Sequence, residues 1–331
     1  MSHTPLIDSY GRIHKNLRVS VTDRCNIRCF YCMPEVVKFL PRKDVLSFEE
    51  IVRLARVFAS VGIERIRLTG GEPLARRGLS DLVGMLKEIN GIKEIAATTN
   101  GLLLADQAAD LRKAGLDRLN VSLDTLDADK FQQITRRNGL DKVIAGIEAA
   151  QEAGFEYIRI NAVAIKGLTE SDIIPLAKFA RQRGLELRFI EFMPLDGDQQ
   201  WDSTSVMTGS SIRQTIEREI GALVDADRKL ASQPAVDFVY ADGQGRVGFI
   251  DPVSAPFCGA CDRVRITAEG KLRNCLFSTE EWNLLKLLRD GATDEEILYS
   301  IVQSVAQKKA GHGIDSEQFV RPDRAMYQIG G

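Results

Sequence analysis

Strand-like and helix-like segments alternate along the chain from about residue 17 to residue 191. Short apolar runs predict strands, and apolar residues spaced three or four apart predict helices such as the one over residues 51–58. Ser47 and Glu50 form a capping-box signature just before that helix. The predicted strands are residues 17–21, 65–68, 95–98, 118–123, 157–163 and 185–190.

Strands that alternate with helices favour a parallel sheet with right-handed crossovers. An open doubly wound sheet and a barrel both satisfy this rule, and the pattern does not choose between them. The alternation stops near Glu191, and shorter strands and two further helices are predicted beyond about residue 229. We therefore expect two domains, residues 1–228 and residues 229–331.

Composition limits the class of protein. The 331 residues are 44% hydrophobic and 27% charged, which is typical of a globular protein of enzyme size. No apolar run approaches the ~18 residues of a membrane span, and the start has no apolar signal core. We therefore expect a cytoplasmic protein that binds no membrane. The net charge of −2 gives no indication of nucleic-acid binding.

Unusual polar segments follow five of the predicted strands. Each lies at the carboxyl end of its strand, the edge at which parallel α/β folds bind ligands. This shared position predicts one ligand site rather than separate turns. The segments are residues 23–34, 69–73, 98–101, 122–124 and 191–194.

The first of these segments carries three of the six cysteines, Cys25, Cys29 and Cys32. Three thiolates on one loop repel one another unless a metal neutralises them. One interpretation is a zinc ion with a fourth ligand from elsewhere in the chain. The other is a [4Fe–4S] cluster whose fourth iron stays open to a substrate or cofactor.

The other three cysteines, Cys258, Cys261 and Cys275, form a second group with no histidine nearby. A closed zinc site takes four protein ligands, so three thiols favour a cluster with one open iron. Such an iron can ligate a purine nitrogen. Zinc with Asp262 as the fourth ligand is the alternative.

Two more segments suit a ligand next to the first cysteine loop. Gly70 and Gly71 allow the backbone to approach a ligand closely, and Glu72 offers a carboxylate to an ammonium group. Tyr31, between two cysteines, offers an aromatic ring to the same ligand. Arginine forks neutralise anionic ligands well. Arginines on or beside the predicted strands are Arg18, Arg67, Arg159, Arg263 and Arg265.

The spacing of the first cysteines resembles that of radical S-adenosylmethionine (SAM) enzymes. Longer stretches closely resemble one family, the GTP 3′,8-cyclases of molybdenum-cofactor biosynthesis. The resemblance implies a partial (βα)6 TIM-type barrel whose open side is closed by a C-terminal α+β domain. It also implies two [4Fe–4S] clusters, SAM and GTP. The matching stretches are residues 17–34, 66–73, 98–101, 119–124, 191–194 and 257–267.

The resemblance also assigns roles to single residues. It implies that Cys25, Cys29 and Cys32 hold the SAM-binding cluster, and that Cys258, Cys261 and Cys275 hold the second. The positions that match SAM contacts are Tyr31, Gly71, Ser122 and Met193. The positions that match GTP contacts are Arg18, Arg67, Thr98, Arg263, Val264 and Arg265. Arg159 stands where we expect the family to carry lysine, which keeps the charge but not the compact ammonium.

The implied reaction starts with reductive cleavage of SAM. The 5′-deoxyadenosyl radical removes hydrogen from ribose C3′ of GTP, and the carbon radical attacks C8 of guanine. The product is (8S)-3′,8-cyclo-7,8-dihydroguanosine 5′-triphosphate. Arg263, Arg265 and the terminal pair Gly330 and Gly331 are the implied catalytic group, with the glycine tail reaching into the closed cavity.

The implied partners are an external one-electron reductant and the next pathway enzyme, cyclic pyranopterin monophosphate synthase. A homodimer is left open. Two alternatives remain at this point: a peptide-modifying radical SAM enzyme with an auxiliary cluster, and a non-catalytic zinc or RNA-binding module.

Overall fold

The computed structural model describes residues 5–228, 230–317 and 319–330. These residues form one 12-stranded sheet with helices between the strands. The strands are β1 (Asn16–Ser20), β2 (Arg65–Thr69), β3 (Glu94–Thr99), β4 (Arg118–Ser122), β5 (Ile158–Ala164), β6 (Glu186–Glu191), β7 (Leu223–Asp225), β8 (Val236–Tyr240), β9 (Arg246–Ile250), β10 (Arg263–Ile266), β11 (Lys271–Arg273) and β12 (Trp282–Asn283). The helices are α1 (Phe48–Ala59), α2 (Leu79–Lys87), α3 (Ala108–Lys113), α4 (Ala128–Thr135), α5 (Leu140–Glu152), α6 (Ile173–Gln182), α7 (Gly209–Glu219), α8 (Leu284–Arg289), α9 (Asp294–Ala306) and α10 (Met326–Ile329).

Strands β1 to β6 lie side by side in chain order, and each pairs parallel with the next. This confirms the parallel βα arrangement predicted from the alternating pattern. Side chains from all six strands line one cavity, so the sheet curves around it as a barrel does. Within the described residues the end strands β12 and β7 do not pair, and the barrel therefore stays incomplete.

The C-terminal strands extend both edges of this parallel sheet. Strand β10 lies parallel beside β1, and β9 lies parallel beside β6. Strands β11 and β8 then continue outward in antiparallel pairs. The second cysteine group is consequently carried next to the first strand, although more than two hundred residues separate the two in sequence.

Helix α1 shows why the sequence pattern was informative. The Ser47 side chain accepts a hydrogen bond from the backbone N–H of Glu50, and the Glu50 side chain caps Ser47 in return. The predicted apolar face of this helix, which includes Leu54 and Phe58, is fully buried in the main core. Local capping and apolar spacing agree at this position, and the helix forms where it was predicted.

The structure differs from the prediction where tertiary pairing competes with local pattern. The helix predicted over residues 281–289 begins only at Leu284, because Trp282 and Asn283 pair with β11. Helix α4 was not predicted, although Asp127 caps its first turn. Strands β7, β11 and β12 were also missed, since each is three residues or shorter.

The division into residues 1–228 and 229–331 stays a prediction, and the strands that flank it, β7 and β8, pair with each other. Among the helices described here, none combines the length and the apolar character needed to cross a membrane.

Candidate active site

One cavity of about 410 Å³ lies inside the curved sheet. All five polar segments predicted at the strand ends contribute residues to its wall, and so do both cysteine groups. The sequence therefore predicted the correct edge of the sheet. The six cysteines that line the cavity are Cys25, Cys29, Cys32, Cys258, Cys261 and Cys275.

The first cysteine loop follows β1 directly. The backbone N–H of Cys32 donates to the carbonyl oxygen of Cys29 at 2.9 Å, which folds the loop into a tight turn. Burial raises the pKa of Cys25 to about 11 and that of Cys32 to about 12. The thiolate form that binds metal must therefore be stabilised by the metal centre itself.

Gly70 and Gly71 lie against this loop so closely that no side chain fits. A Cβ on Gly70 would lie 2.3 Å from the carbonyl oxygen of Thr22, and one on Gly71 would lie 2.4 Å from that of Arg24. The Gly71 N–H donates to the Thr22 carbonyl at 2.8 Å. The glycine pair therefore allows the second segment to dock on the cysteine loop, whereas the predicted close approach to a ligand stays a prediction.

Glu72 is buried and braces two loops. Its carboxylate accepts hydrogen bonds from the backbone N–H groups of Leu74 and Asn100 and from the hydroxyl of Thr99, at distances of 2.7 to 2.9 Å. Burial raises its pKa to about 7 despite these donors. Its predicted contact with an ammonium group stays a prediction, because protein donors already engage both of its oxygens.

Tyr31 and Ser122 line the cavity near Cys29, and Met193 lines it as well but packs in an apolar cluster that includes Cys275. The Tyr31 hydroxyl donates to Oδ2 of Asp124 at 2.6 Å, and burial raises the pKa of Asp124 to about 6. The sequence analysis placed Asp124 in a polar segment but gave it no role. In the structure Asp124 fixes the hydroxyl of Tyr31, which lies with Phe30 between Cys29 and Cys32.

The second cysteine group is surrounded by basic side chains. Cys261 Sγ accepts hydrogen bonds from Arg263 Nε at 3.4 Å, from Arg263 Nη2 at 3.3 Å and from Lys308 Nζ at 3.5 Å. Burial alone would raise the pKa of Cys261, but the charges of Arg263 and Lys308 outweigh it and bring the pKa down to about 6. A thiolate or a cluster sulfur is therefore favoured at this position.

Protein partners engage one oxygen of Asp262, Oδ2, while Oδ1 is buried with no hydrogen-bond partner among the described residues. The Asp262 carboxylate accepts a hydrogen bond from Asn16 and pairs with Arg65 at 3.4 Å. In the described ranges no three His, Cys, Asp or Glu side chains converge as ligands of a single metal ion would. Iron–sulfur clusters are held by cysteine thiolates, and each cysteine group supplies three thiols to the cavity. The donor set therefore fits an iron–sulfur cluster.

Three arginines stand in register across adjacent strands. Arg18 on β1 lies between Arg265 on β10 and Arg67 on β2. Burial, and then the charges of neighbouring arginines, lower the pKa of all three. Within the described chain no carboxylate pairs with any of them. Such a row of uncompensated positive charge is suited to a polyanionic ligand.

Other arginines in the cavity have carboxylate partners. Arg159 pairs with Glu186 and Arg188 pairs with Asp237 at 3.1 Å. The sequence analysis named Arg159 on β5 but missed Arg118 on β4 and Arg188 on β6, which face the same cavity. The alternation of side chains along a strand could have revealed them, because every second residue of a strand points to the same face of the sheet.

Two predicted ligand contacts have contrasting environments. Thr98 lines the cavity, and its hydroxyl is buried with no hydrogen-bond partner among the described residues. Val264 is fully buried in the hydrophobic core, because strand alternation turns its neighbours Arg263 and Arg265 toward the cavity. A contact of Val264 with a ligand would therefore have to be made by its backbone.

The C-terminal tail returns to the barrel. The Met326 N–H donates to the Leu195 carbonyl at 2.8 Å, and Ile329 is fully buried. Gly330 adopts a left-handed φ of 84°, and its carbonyl accepts a hydrogen bond from Arg265 Nη1. The structure therefore brings Gly330 to the arginine row. Gly331, the last predicted catalytic residue, lies outside the described residues.

Comparison with known proteins agrees with this geometry. The family model of the radical SAM superfamily matches residues 19–180, and the model "Molybdenum Cofactor Synthesis C" matches residues 185–314. A protein of Rhodopirellula baltica named GTP 3′,8-cyclase is 52% identical over 98% of this chain and 92% of its own length. A protein of the same name from Streptomyces coelicolor is 44% identical over 98% of this chain and 96% of its own length.

The solved structure of Streptococcus suis SuiB matches with a TM-score of 0.59 at 17% identity and covers 98% of this chain and 76% of SuiB. At this identity the likeness shows the fold alone, and it confirms the partial TIM-type barrel. The full-length matches to GTP 3′,8-cyclases and the two family models show the family. The chain belongs to the GTP 3′,8-cyclase family of radical SAM enzymes.

Proposed function

We propose that this protein converts GTP to (8S)-3′,8-cyclo-7,8-dihydroguanosine 5′-triphosphate, the first step of molybdenum-cofactor biosynthesis. The observation that carries the proposal is that two groups of three free cysteines line one cavity together with a row of arginines that no carboxylate of the described residues pairs with. Two cluster sites and a polyanion site in one enclosed space match the needs of this reaction.

The first cysteine group holds the SAM-binding cluster in this proposal. When bound, that cluster supplies the electron that cleaves SAM and starts radical chemistry at ribose C3′. Around it, Gly71 permits close backbone approach, and Tyr31, Ser122 and Met193 form the wall for the cofactor. Glu72 keeps the two adjacent loops in place through its buried hydrogen bonds.

The second cysteine group holds a cluster with one iron left open for the guanine base. The triphosphate then binds the row formed by Arg18, Arg67 and Arg265, whose charges no carboxylate of the described chain neutralises. Thr98 offers its unpartnered hydroxyl to the same ligand. These residues bind and orient GTP, and the enclosed cavity limits the access of water and solvent hydrogen.

The tail completes the enclosure. Gly330 lies where its carbonyl accepts from Arg265, so the tail contacts the row on which GTP binds. We expect Gly330, Arg263 and Arg265 to act together near the reacting nucleotide. The contribution of Gly331 belongs to the proposal through the family resemblance only.

The proposal includes three partners that the site itself does not identify. An external one-electron reductant is required, because the reductive cleavage of SAM consumes an electron. The product passes to cyclic pyranopterin monophosphate synthase. We also place the protein in the cytoplasm, where reducing conditions keep the six cysteines out of disulfides and available to the clusters. A homodimer stays a prediction that light scattering can test.

A peptide-modifying radical SAM enzyme is the alternative with the most structural support, because one solved SuiB structure is described as bound to the precursor peptide SuiA. That likeness shows the fold alone. A long peptide would not need the row of unpaired arginines, whereas a triphosphate does. The non-catalytic zinc or RNA-binding module lacks such support, since the two cysteine groups face one enclosed cavity.

The decisive experiment is an anaerobic assay of the full chain with reconstituted clusters. SAM and a strong reductant are added with GTP, ATP or a peptide, and 5′-deoxyadenosine is quantified together with any product isobaric with GTP. The proposal expects 5′-deoxyadenosine and the cyclised product only with GTP. SAM cleavage that does not depend on GTP would overturn the substrate assignment but keep the radical SAM assignment.

Two variants separate the roles of the cysteine groups. We expect Cys25→Ala to abolish SAM cleavage. We expect Cys258→Ala to lower cyclised product far more than uncoupled SAM cleavage, because the first group stays complete. If a Cys25→Ala protein of full second-cluster content still cleaved SAM, the assignment of the first group would be wrong.

A further inference from the structure

A buried lysine outside the predicted site reaches one sulfur of the second cysteine group. Lys308 follows helix α9 and is only 3% exposed. Its Nζ lies 3.5 Å from Cys261 Sγ and donates to the carbonyl oxygen of Arg263 at 2.7 Å. No carboxylate among the described residues pairs with it. A buried ammonium needs a counter-charge, and the nearby sulfur of Cys261 can supply it as a thiolate or cluster ligand.

Residues of the N-terminal segment hold the chain around Lys308 against the second cysteine group. Ile7 and Ile13 form an antiparallel bridge, and the turn between them brings Asp8 against Arg12. Asp8 is 5% exposed and accepts a hydrogen bond from Arg12 Nε at 2.6 Å. His14, fully buried, contacts the same carboxylate at 3.1 Å. The orientation of the Arg12 guanidinium is therefore set by a buried anion.

Arg12 in turn connects the cysteine loop to the segment after Lys308. Its Nη1 donates to the carbonyls of Cys258 and Ala310, each at 2.9 Å, and its Nη2 donates to that of Lys309 at 2.7 Å. One guanidinium thus joins the first cysteine of the second group to the two residues that follow Lys308. The position of the lysine relative to the cysteines is held from both sides.

We infer that Lys308 is a positioning residue of the second cluster and that its charge and hydrogen bond at Cys261 raise the reduction potential of that cluster. Positive charge and N–H donors beside a ligating sulfur stabilise the more negative, reduced form. The Asp8–Arg12 pair keeps the ammonium at the sulfur. This inference rests on the proposed function, because it requires the second cluster.

The test isolates the second cluster in the full chain. A parent protein with Cys25→Ala, Cys29→Ala and Cys32→Ala retains only the second cysteine group, and its cluster is titrated anaerobically with electron paramagnetic resonance as the readout. In Lys308→Met we expect the ratio of reduced to oxidised cluster at a fixed potential to fall about tenfold, which is about 59 mV for a one-electron couple. Lys308→Arg keeps the charge and is expected to restore most of the potential.

The neighbouring lysine provides a matched control. Lys309 is exposed, and Lys309→Met removes the same formal charge one residue away without touching a sulfur. Lys308→Gln is measured in parallel in case a buried methionine prevents cluster assembly, and its expected shift has the same sign but is smaller.

The outcomes are distinct. An unchanged potential in both Lys308→Met and Lys308→Gln at full iron content overturns the inference. An equal fall in Lys309→Met also overturns it, because the effect would then come from net charge alone. A parent chain that holds no [4Fe–4S] cluster overturns the proposed function itself, before any lysine variant is compared.

Discussion

The side chain of Arg265 donates a hydrogen bond to the backbone carbonyl of Gly330. These residues are 65 positions apart, and the contact brings the C-terminal tail against the row of arginines that faces the cavity. The hydroxyls of Ser20 and Thr69 lie beside the same glycine, and both lack a partner among the described residues. Met326 and Tyr327 of the tail line the cavity, and Gly330 contacts an arginine of the row where the substrate triphosphate is proposed to bind.

Gly330 tolerates no side chain in this position. A Cβ would lie 2.2 Å from Ser20 Oγ and 2.5 Å from Thr69 Oγ1, and the left-handed φ is itself strained for any L residue at a cost of about 1–3 kcal/mol. We expect Gly330→Ala to displace the tail and to lower the cyclisation rate at least about tenfold, with little change in Tm. Single-turnover product analysis measures the cyclisation rate.

Gly243→Ala is the matched control, because that glycine also has a left-handed φ but no neighbouring atom within 4 Å. A full rate in Gly330→Ala would show that the tail has no part in catalysis.

Arg18 is placed for binding at the expense of stability. Its side chain is partly buried, and desolvation and then the charges of Arg265 and Arg263 lower its pKa. We expect Arg18→Met to raise the Kd for GTP about tenfold or more, since a lost charge-assisted hydrogen bond costs about 1.5–3 kcal/mol. Without GTP the same variant should be more stable by about 1 kcal/mol, or roughly 2 °C in Tm. Calorimetric titration and thermal unfolding measure the two effects.

Arg53→Met, which removes an exposed ion pair with Asp294, is the control and should change neither the Kd for GTP nor the Tm appreciably. A weaker fold together with unchanged affinity would contradict this assignment.

Gly71 tests the docking of the second segment on the cysteine loop. A Cβ there would meet backbone atoms of Arg24 at 2.4 and 2.6 Å, and backbone cannot move aside as a flexible side chain can. We expect Gly71→Ala to lower SAM affinity at least about tenfold and to reduce iron retained by the first group. Equilibrium dialysis and iron analysis are the measurements. Gly84→Ala, in helix α2 with nothing within 4 Å, should be neutral or slightly stabilising. Normal SAM binding by Gly71→Ala would show that the loop has more freedom than the structure indicates.

The raised pKa of Asp251 predicts that the stability of the fold depends on pH. Burial, and then repulsion from Glu191, raise its pKa from 3.8 to about 6, while the N–H of Gly209 donates to its Oδ1 at 3.0 Å. The folded state therefore holds a proton that the unfolded state has lost, and stability from this group falls as the pH rises from about 4 to about 6. Asp251→Asn keeps the acceptor and removes the titration. We expect its Tm to exceed that of the parent by a few degrees at pH 7 and the advantage to shrink toward pH 4. A difference that is constant over this range would contradict the raised pKa of Asp251.

Much of the site could be predicted from the sequence because each part of it has a local signal. The cysteine spacing, the glycine pair before Glu72 and the capped helix at Ser47 all depend on residues close together in the chain. The alternation of strands and helices then placed the polar segments at one edge of the sheet. No comparable local signal identified Asp124 or Lys308, whose roles come from partners far away in sequence.

The parallel βα order, the two cysteine groups and the sheet edge that carries the first group can be predicted from the sequence. Which residues share a space depends on the tertiary structure. Pairing of β10 with β1 sets Arg265 beside Arg18, and no carboxylate of the described residues pairs with the three arginines of this row, whereas Glu186 pairs with Arg159. The physical reason is that the spacing of apolar and polar residues specifies which face of a strand or helix a side chain occupies. The charged partner of that side chain comes from another strand. That partner depends on the long-range register of the sheet, which no local pattern encodes.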